Sequence, residues 1–187
     1  EAPLPPVLAM DRDGIVVDLP GLGETRVGLL GRHQAANAAV ADAVLDALGA
    51  SGIAAVPPAA RRAGYAAARW PGRLELVEVP GAGPGGANGE VLLDGAHNPA
   101  GAAALAAALD ELRPLLRGGG TPAHARDARG PRPAPVTLVL AIMGDKDVDG
   151  VLRPLAAAAA LAGARVITTR VEGPRAPFFG SPQHLGV

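Results

Sequence analysis

The feature that most constrains the fold of this chain is an alternation of strand-like and helix-like segments in its second half. Residues 136–142 form a nearly continuous apolar run, which is typical of a strand buried on both faces. Helix-like segments at 100–116 and 148–162 flank this run, and short apolar segments at 91–93 and 165–169 lie beyond them. This β-α-β-α-β order predicts an α/β fold with parallel strands joined by right-handed crossovers.

The first part of the chain has a different organisation. Three short strands, separated by turn residues, are predicted within its first thirty residues. A helix is predicted over residues 35–48, with Val40 and Val44 on its buried stripe. A second helical segment ends before Pro71, because the residue that precedes a proline is disfavoured in the α region. We therefore place a domain boundary near residue 70.

Composition argues against several classes of function. The chain has 17 basic and 18 acidic residues and a net charge of −1, which argues against a nucleic-acid module held by a basic surface. It has no cysteine, which excludes a disulfide framework and a cysteine-ligated zinc site. No apolar run reaches the roughly 18 residues of a membrane span, so we expect no membrane partner.

Polar residues cluster where the predicted strands end. Asp94 and His97 follow the strand at 91–93, the segment Asp145-Lys146-Asp147 follows the strand at 136–142, and a third cluster occupies residues 170–175. Ligands of parallel α/β sheets bind beyond the carboxyl ends of the strands. The three clusters therefore predict a site at one edge of the sheet.

Each of these loops also has a purely structural interpretation. Asn98 and Pro99 suit the cap and the first position of a helix. Lys146, the only lysine in the chain, stands between two carboxylates and could form a local ion pair. From the residues alone, a ligand role and a structural role remain open for both loops.

Two residues outside these loops are further candidates. Asn37 lies on the helical face of Val40 and Val44, where an amide can both donate to and accept from an adenine edge. The alternative for Asn37 is a tertiary hydrogen bond or a cap. Arg73 lies at the predicted domain joint, and arginine is the planar phosphate-binding side chain. The alternative for Arg73 is a solvated side chain.

Several common catalytic motifs do not occur in the sequence. It contains no Walker A loop, no GxGxxG fingerprint after a strand and no GxSxG elbow. The histidines at 33, 97, 124 and 184 are too scattered to suggest a metal cluster, so we predict no metal site within this chain.

Four segments taken together carry more information than any one of them. In order they are LLGRHQAAN at 29–37, WPGRLE at 70–75, LDGAHNP at 93–99 and GDKD at 144–147. This series resembles the folylpolyglutamate synthase/dihydrofolate synthase family, the folate branch of the Mur ligase superfamily. The resemblance extends from about residue 7 to about residue 177.

The resemblance implies a domain organisation. Residues 1–69 would be the C-terminal part of the central P-loop ATPase domain, contributing its last strands and helices. Residues 70–187 would be the C-terminal Rossmann-like, glutamate ligase domain, a mostly parallel sheet flanked by helices. A flexible insertion would occupy residues 117–135.

The resemblance also implies an activity and a set of nucleotide contacts. Family members add L-glutamate to a folate or dihydropteroate carboxylate, which ATP first activates as an acyl phosphate. By motif position, Asn37 would contact the adenine, Arg73 would reach the ATP phosphates, and Asp94 would bind the ribose.

The remaining motif residues would lie where glutamate meets the acyl phosphate. The implied catalytic residues are Arg73, His97 and Lys146. The implied substrate-binding residues are His97, Asp145 and Asp147.

The family's P-loop, its Mg²⁺ ligands and most of its folate pocket precede the segments found here. We therefore expect the chain to be the C-terminal half of a ligase and inactive alone, with ATP and Mg²⁺ as cofactors. We also expect a cytoplasmic monomer whose partners are small molecules. Two alternatives remain: a non-catalytic nucleotide-binding module and a fragment of a peptidoglycan Mur ligase.

Overall fold

The computed structural model describes residues 4–116, 126–127, 130–131 and 136–169. These residues form two compact units. The first contains the described residues up to Gly95 together with Leu115 and Leu116, and the second contains residues 96–114 and the described residues from 126 onward. The predicted cluster at 170–175 lies outside the described residues, as do the histidines at 124 and 184.

The first unit begins with an antiparallel sheet of three strands, as predicted. Strands β1 (Val7–Asp11), β2 (Gly14–Leu19) and β3 (Gly23–Val27) pair in that order. Successive side chains of a strand point to opposite faces, and every second residue of β2 is buried accordingly. The side chains that form the core on this face are Ile15, Val17 and Leu19, joined by Leu22, Val27, Ala35 and Ala38.

Helix α1 (His33–Ala50) follows the sheet, but the predicted buried stripe is wrong. Val40 is 64% exposed and Val44 is 52% exposed, whereas the buried positions are Gln34, Ala35, Ala38 and Asp42. Alanine occupies several faces of this helix, so valine spacing does not identify the buried one. Small side chains allow α1 to pack on the core through the alanine face.

Helix α2 (Pro58–Ala67) is attached to α1 by a buried polar cluster. The Asp42 carboxylate accepts hydrogen bonds from the Arg61 guanidinium and from the Tyr65 hydroxyl, each at 3.1 Å. Burial and then the Asp42 carboxylate raise the pKa of Tyr65 to about 12, because both disfavour the phenolate. The helix ends before Pro71, as predicted.

A hairpin completes the first unit. Strand β4 (Glu75–Val79) pairs antiparallel with β5 (Gly89–Leu93), and Glu75 lies opposite Leu93. An ion pair between the Arg12 guanidinium and Glu90 ties the β1–β2 turn to this hairpin. The same guanidinium donates a 2.9 Å hydrogen bond to the Leu115 carbonyl oxygen, which lies outside the hairpin. The Glu90 carboxylate raises the pKa of Arg12, so the arginine stays charged.

The second unit combines helices with a parallel pair of strands. Helix α3 (Pro99–Leu112) comes first. Two short strands, β6 (Arg126–Asp127) and β7 (Gly130–Pro131), pair within the predicted insertion. Strand β8 (Thr137–Leu140) then pairs in parallel with β9 (Arg165–Thr168).

Helix α4 (Val148–Ala157) connects these two parallel strands. It is shorter than the predicted 148–162, because the chain continues as a single 3₁₀ turn at Ala159–Leu161. The core of this unit is small and apolar, and its buried members are Ala102, Ala106, Ile142, Val151, Leu155 and Ala158.

The mixed α/β class is confirmed, but the sheets are smaller than expected. The strand that ends before Asp94 belongs to the antiparallel hairpin, and the parallel ladder contains β8 and β9. Closing a short loop costs little entropy, which favours pairing of β5 with its neighbour in sequence. We had expected the Asp94 and Asp145 clusters to follow strands of one sheet. This expectation is wrong, because the strands that precede them belong to different sheets.

The two units divide between Gly95 and Ala96. The predicted domain assignment of 1–69 and 70–187 concerns a complete ligase and stays a prediction. In the part of the chain that the structure describes, no helix has both the length and the apolar character needed to cross a bilayer.

The burial pattern of the first unit predicts opposite results for two apolar truncations. Ile15→Ala removes a fully buried side chain and should lower the free energy of unfolding by about 2–5 kcal/mol. Val44→Ala, the matched control on the exposed face of α1, should change it by less than about 0.5 kcal/mol. Urea unfolding of the 187-residue chain measures both. An equal loss in the two variants would contradict the observed orientation of α1.

Candidate functional site

The loop between β3 and α1 approaches the segment that precedes β4 very closely. Gly31 has a φ of +94°, in the region that favours glycine. A Cβ atom at this position would lie 2.7 Å from the Leu74 Cδ1 atom and 2.7 Å from the His33 Cε1 atom. Any larger residue at position 31 would therefore be strained and would require the Leu74 or His33 side chain to shift.

Three polar side chains form a relay along the first turn of α1. The Asn37 amide nitrogen donates to the Gln34 Oε1 atom at 2.8 Å, and the Gln34 amide nitrogen lies 3.1 Å from the His33 Nε2 atom. An amide nitrogen only donates, so Nε2 of His33 accepts and the imidazole is neutral. Gln34 is buried, whereas Asn37 is exposed at the end of the relay.

Two of the predicted site residues affect the pKa of His33. His33 is exposed at the surface, and partial desolvation of its ring lowers its pKa. The Asp94 carboxylate raises this pKa, and the Arg73 guanidinium lowers it. Opposite charges from two distant motif segments therefore both act on this one imidazole. The net lowering of the pKa agrees with the neutral state that the hydrogen bond from Gln34 requires.

The turn at 70–75 presents Arg73 at the surface. The Arg73 backbone N–H donates to the Trp70 carbonyl oxygen at 3.1 Å, and the Arg73 Cζ atom lies 6.0 Å from the centre of the Trp70 ring. A guanidinium at this distance is attracted by the aromatic face. At the other end of the turn, the Gly72 N–H donates to the Glu75 carboxylate at 2.8 Å.

Leu74 has an unusual backbone conformation. Its φ is +47°, although its side chain is only 2% exposed. A leucine in the left-handed region costs about 1–3 kcal/mol and persists only where the surroundings impose it.

Two hydrogen bonds hold this turn to the end of β5. The Leu74 N–H donates to Oδ2 of Asp94 at 3.0 Å, and the Gly95 N–H donates to the Gly72 carbonyl oxygen at 2.8 Å. The segment Asp94–Gly95 therefore fixes the backbone next to Arg73.

The candidate residues of the second unit lie at or just before the N-termini of helices α3 and α4. Asn98 caps α3 by accepting a hydrogen bond from the Gly101 N–H, and Asp147 caps α4 by accepting one from the Gly150 N–H, each at 2.8 Å. These bonds satisfy backbone donors that a helix start leaves without a partner. The capping interpretation of Asn98 is thereby confirmed, and Asp147 has the same role.

The other candidates of this unit precede those caps. The Lys146 Nζ atom lies 3.5 Å from Oδ2 of Asp145, which is the local ion pair considered as an alternative from the sequence. His97 is exposed in the segment before α3. No contact in the described residues assigns a ligand to His97, Asp145, Lys146 or Asp147, and their predicted roles stay predictions.

Sequence reasoning proposed three residues of the first unit and missed two. Arg73 and Asp94 are brought together around His33, and Asn37 is connected to His33 through Gln34. His33 and Gln34 lay in the quoted segment 29–37, but His33 was considered only as a possible metal ligand. Among the described residues, no group of three potential His, Asp or Glu ligands could hold a metal ion.

Comparison with known proteins gives matches to one family of enzymes. The chain is 39% identical over 147 residues to a dihydrofolate synthase/folylpolyglutamate synthase of Mycobacterium tuberculosis, covering 76% of the chain and 25% of that protein. No protein-family model matches the chain.

Two solved structures have the same fold over most of the chain. The structure of Mycobacterium tuberculosis folylpolyglutamate synthase complexed with ADP is 35% identical, with a TM-score of 0.53 over 91% of this chain and 32% of that one. Thermotoga maritima folylpolyglutamate synthase is 30% identical, with a TM-score of 0.56 over 91% of this chain and 34% of that one.

The chain spans about a quarter to a third of the length of these relatives. The resemblance predicted from the four motif segments is confirmed: in sequence and in fold, the chain matches a portion of folylpolyglutamate synthase/dihydrofolate synthase.

Proposed function

We propose that the protein is an ATP-dependent carboxylate–amine ligase that adds L-glutamate to folate or dihydropteroate. The observation that carries this proposal is the approach of three motif segments to one another. The Leu74 N–H donates to Asp94, and Leu74 lies against Gly31, with Arg73 exposed in the same turn. A relative with 35% identity was solved in complex with ADP, which supports nucleotide binding.

The proposed reaction has two steps. A carboxylate oxygen of the folate attacks the γ-phosphorus of ATP, the bond to the bridging oxygen breaks, and ADP leaves. The glutamate amine then attacks the acyl carbon, phosphate leaves with the electron pair of its C–O bond, and the nitrogen loses a proton. Both steps place negative charge on phosphoryl oxygens, where a guanidinium stabilises the transition state.

The side chains of the first unit fit a nucleotide. The Asn37 amide uses one N–H for Gln34, and its second N–H and its Oδ1 atom match an acceptor and a donor on an adenine edge. Arg73 presents an exposed cation to the phosphates. We assign the ribose hydroxyls to Asp94, whose carboxylate accepts hydrogen bonds.

The neutral state of His33 suits this arrangement. A protonated imidazole would repel the Arg73 guanidinium, and partial desolvation of the ring also disfavours that protonation. The guanidinium is then the cation beside the nucleotide, and its charge is directed to the phosphates.

We assign glutamate and the acyl phosphate to the loops of the second unit. Lys146 would supply positive charge there, with Asp145 as its ion-pair partner. His97 would meet the incoming amino acid together with Asp145 and Asp147. Mg²⁺ neutralises ATP phosphates, and we assign no ligand for it among the described residues. We place the protein in the cytoplasm, where ATP is available, as a monomer.

Truncation of Arg73 tests the proposed activity. In the full-length protein, Arg73→Ala should lower glutamate-dependent phosphate release from ATP by at least about 10²-fold, because a transition-state cation is lost. The assay is run with dihydropteroate and with tetrahydrofolate. Arg153→Ala, on the exposed side of α4, is the matched control and should retain full activity. A wild-type protein that releases phosphate with neither pterin would contradict the proposal.

The charges around His33 predict opposite pKa changes in two variants. Arg73→Ala should raise the pKa of His33, because a neighbouring cation is removed, and Asp94→Asn should lower it, because a neighbouring anion is removed. Titration of the His33 ring protons by NMR measures both changes. Arg26→Ala, which breaks an ion pair with Asp11 in the same unit, should leave this pKa unchanged.

The sign of the stability change follows from the lowered pKa of His33. Unfolded chains bind a proton at this residue more readily than the native state does, so stability decreases as the pH falls below the ordinary histidine value.

In the NMR titration, a change of the His33 pKa in the same direction in Arg73→Ala and in Asp94→Asn would show that the two charges do not lie near the ring.

A further inference from the structure

We propose that Asp94 is a positioning residue for Arg73, acting through the backbone of Leu74. This inference rests on the proposed function, since it concerns how the phosphate-binding guanidinium is aimed. It gives the Asp94 carboxylate a role in addition to any contact with the nucleotide.

The backbone geometry of the turn is the first step. The peptide between Arg73 and Leu74 is oriented by the φ of Leu74, which is +47°. A non-glycine residue leaves this region when nothing holds it there, and the peptide then rotates. Such a rotation would redirect the Cα–Cβ bond of Arg73 and therefore its guanidinium.

The hydrogen bond to Asp94 is the second step. The Leu74 N–H belongs to that same peptide, and Oδ2 of Asp94 accepts from it at 3.0 Å. A hydrogen bond to an ionised carboxylate is about twice as strong as one between neutral groups. Asp94 therefore stabilises the peptide in the orientation that the strained φ requires.

The surrounding hydrogen bonds explain why substitution of Asp94 affects the turn and not the fold of the hairpin. The Gly95 N–H bonds to the Gly72 carbonyl oxygen, and the ladder between β4 and β5 keeps Glu75 opposite Leu93. Both contacts are between backbone atoms. They survive substitution at position 94, so loss of the carboxylate changes the turn locally while the hairpin remains folded.

A pair of substitutions separates positioning from ribose binding. Asp94→Ala in the full-length protein should lower kcat about tenfold or more, a loss separate from the rise in KM for ATP that removal of the ribose contact causes. Asp94→Asn keeps an oxygen that accepts from the Leu74 N–H, and it should restore most of the lost kcat. Equal losses in the two variants, with KM for ATP raised in both, would assign Asp94 to ribose binding alone and overturn the proposal.

A double-mutant cycle with Arg73 tests whether Asp94 affects activity through Arg73. If Asp94 acts through Arg73, then Asp94→Ala should cost little further activity in a protein that already carries Arg73→Ala. Multiplied losses in the double variant would show that Asp94 acts independently of Arg73, which contradicts the proposal.

A measurement without substrate keeps this inference separate from the proposed activity. Hydrogen exchange of the Leu74 amide should be slow in the wild type and in Asp94→Asn, and clearly faster in Asp94→Ala. Equal exchange in all three proteins would overturn the positioning role, whether or not the protein is a ligase. A wild type that is inactive with both pterins would instead contradict the proposed function.

Discussion

The orientation of Arg73 in the candidate site depends on the hydrogen bond between the Leu74 N–H and the Asp94 carboxylate. It joins the turn that carries Arg73 to the end of β5, and it does so at a residue whose φ is +47°. The Leu74 side chain in turn packs against Gly31, where a Cβ atom would lie 2.7 Å from the Leu74 Cδ1 atom. The loop before α1, the Arg73 turn and the end of the hairpin are therefore mutually fixed, although they are far apart in sequence.

The charges and the partial desolvation around His33 then determine its protonation and the direction of its hydrogen bonds. Partial desolvation lowers the pKa of His33, although the Asp94 carboxylate favours its protonation. The neutral ring accepts from Gln34, whose own oxygen accepts from Asn37. Asn37 is thereby oriented at the surface through hydrogen bonds that end at His33, and the Arg73 guanidinium lowers the pKa of that same imidazole.

The sequence predicted the positions of strands and helices better than it predicted which faces and residues they pack against. Strands β1 to β3 were predictable because turn residues separate short apolar runs. The buried face of α1 was not, because alanine covers several faces and leaves Val40 and Val44 exposed. Arg73 and Asp94 could be selected by residue type and motif. The conformation of Leu74 could not, because a left-handed leucine contradicts local preference and results from tertiary contacts alone.

The second unit shows how stability can be separated from function among motif residues. Capping by Asn98 or Asp147 is worth typically about 1 kcal/mol, so helix stability by itself accounts for both residues. The Asp145–Lys146 pair joins side chains that are 59% and 34% exposed, and such pairs contribute about 0–1 kcal/mol. Stability therefore explains Asp147 better than it explains Lys146. The only lysine of the chain is consequently the stronger candidate for direct contact with an anionic substrate in this unit.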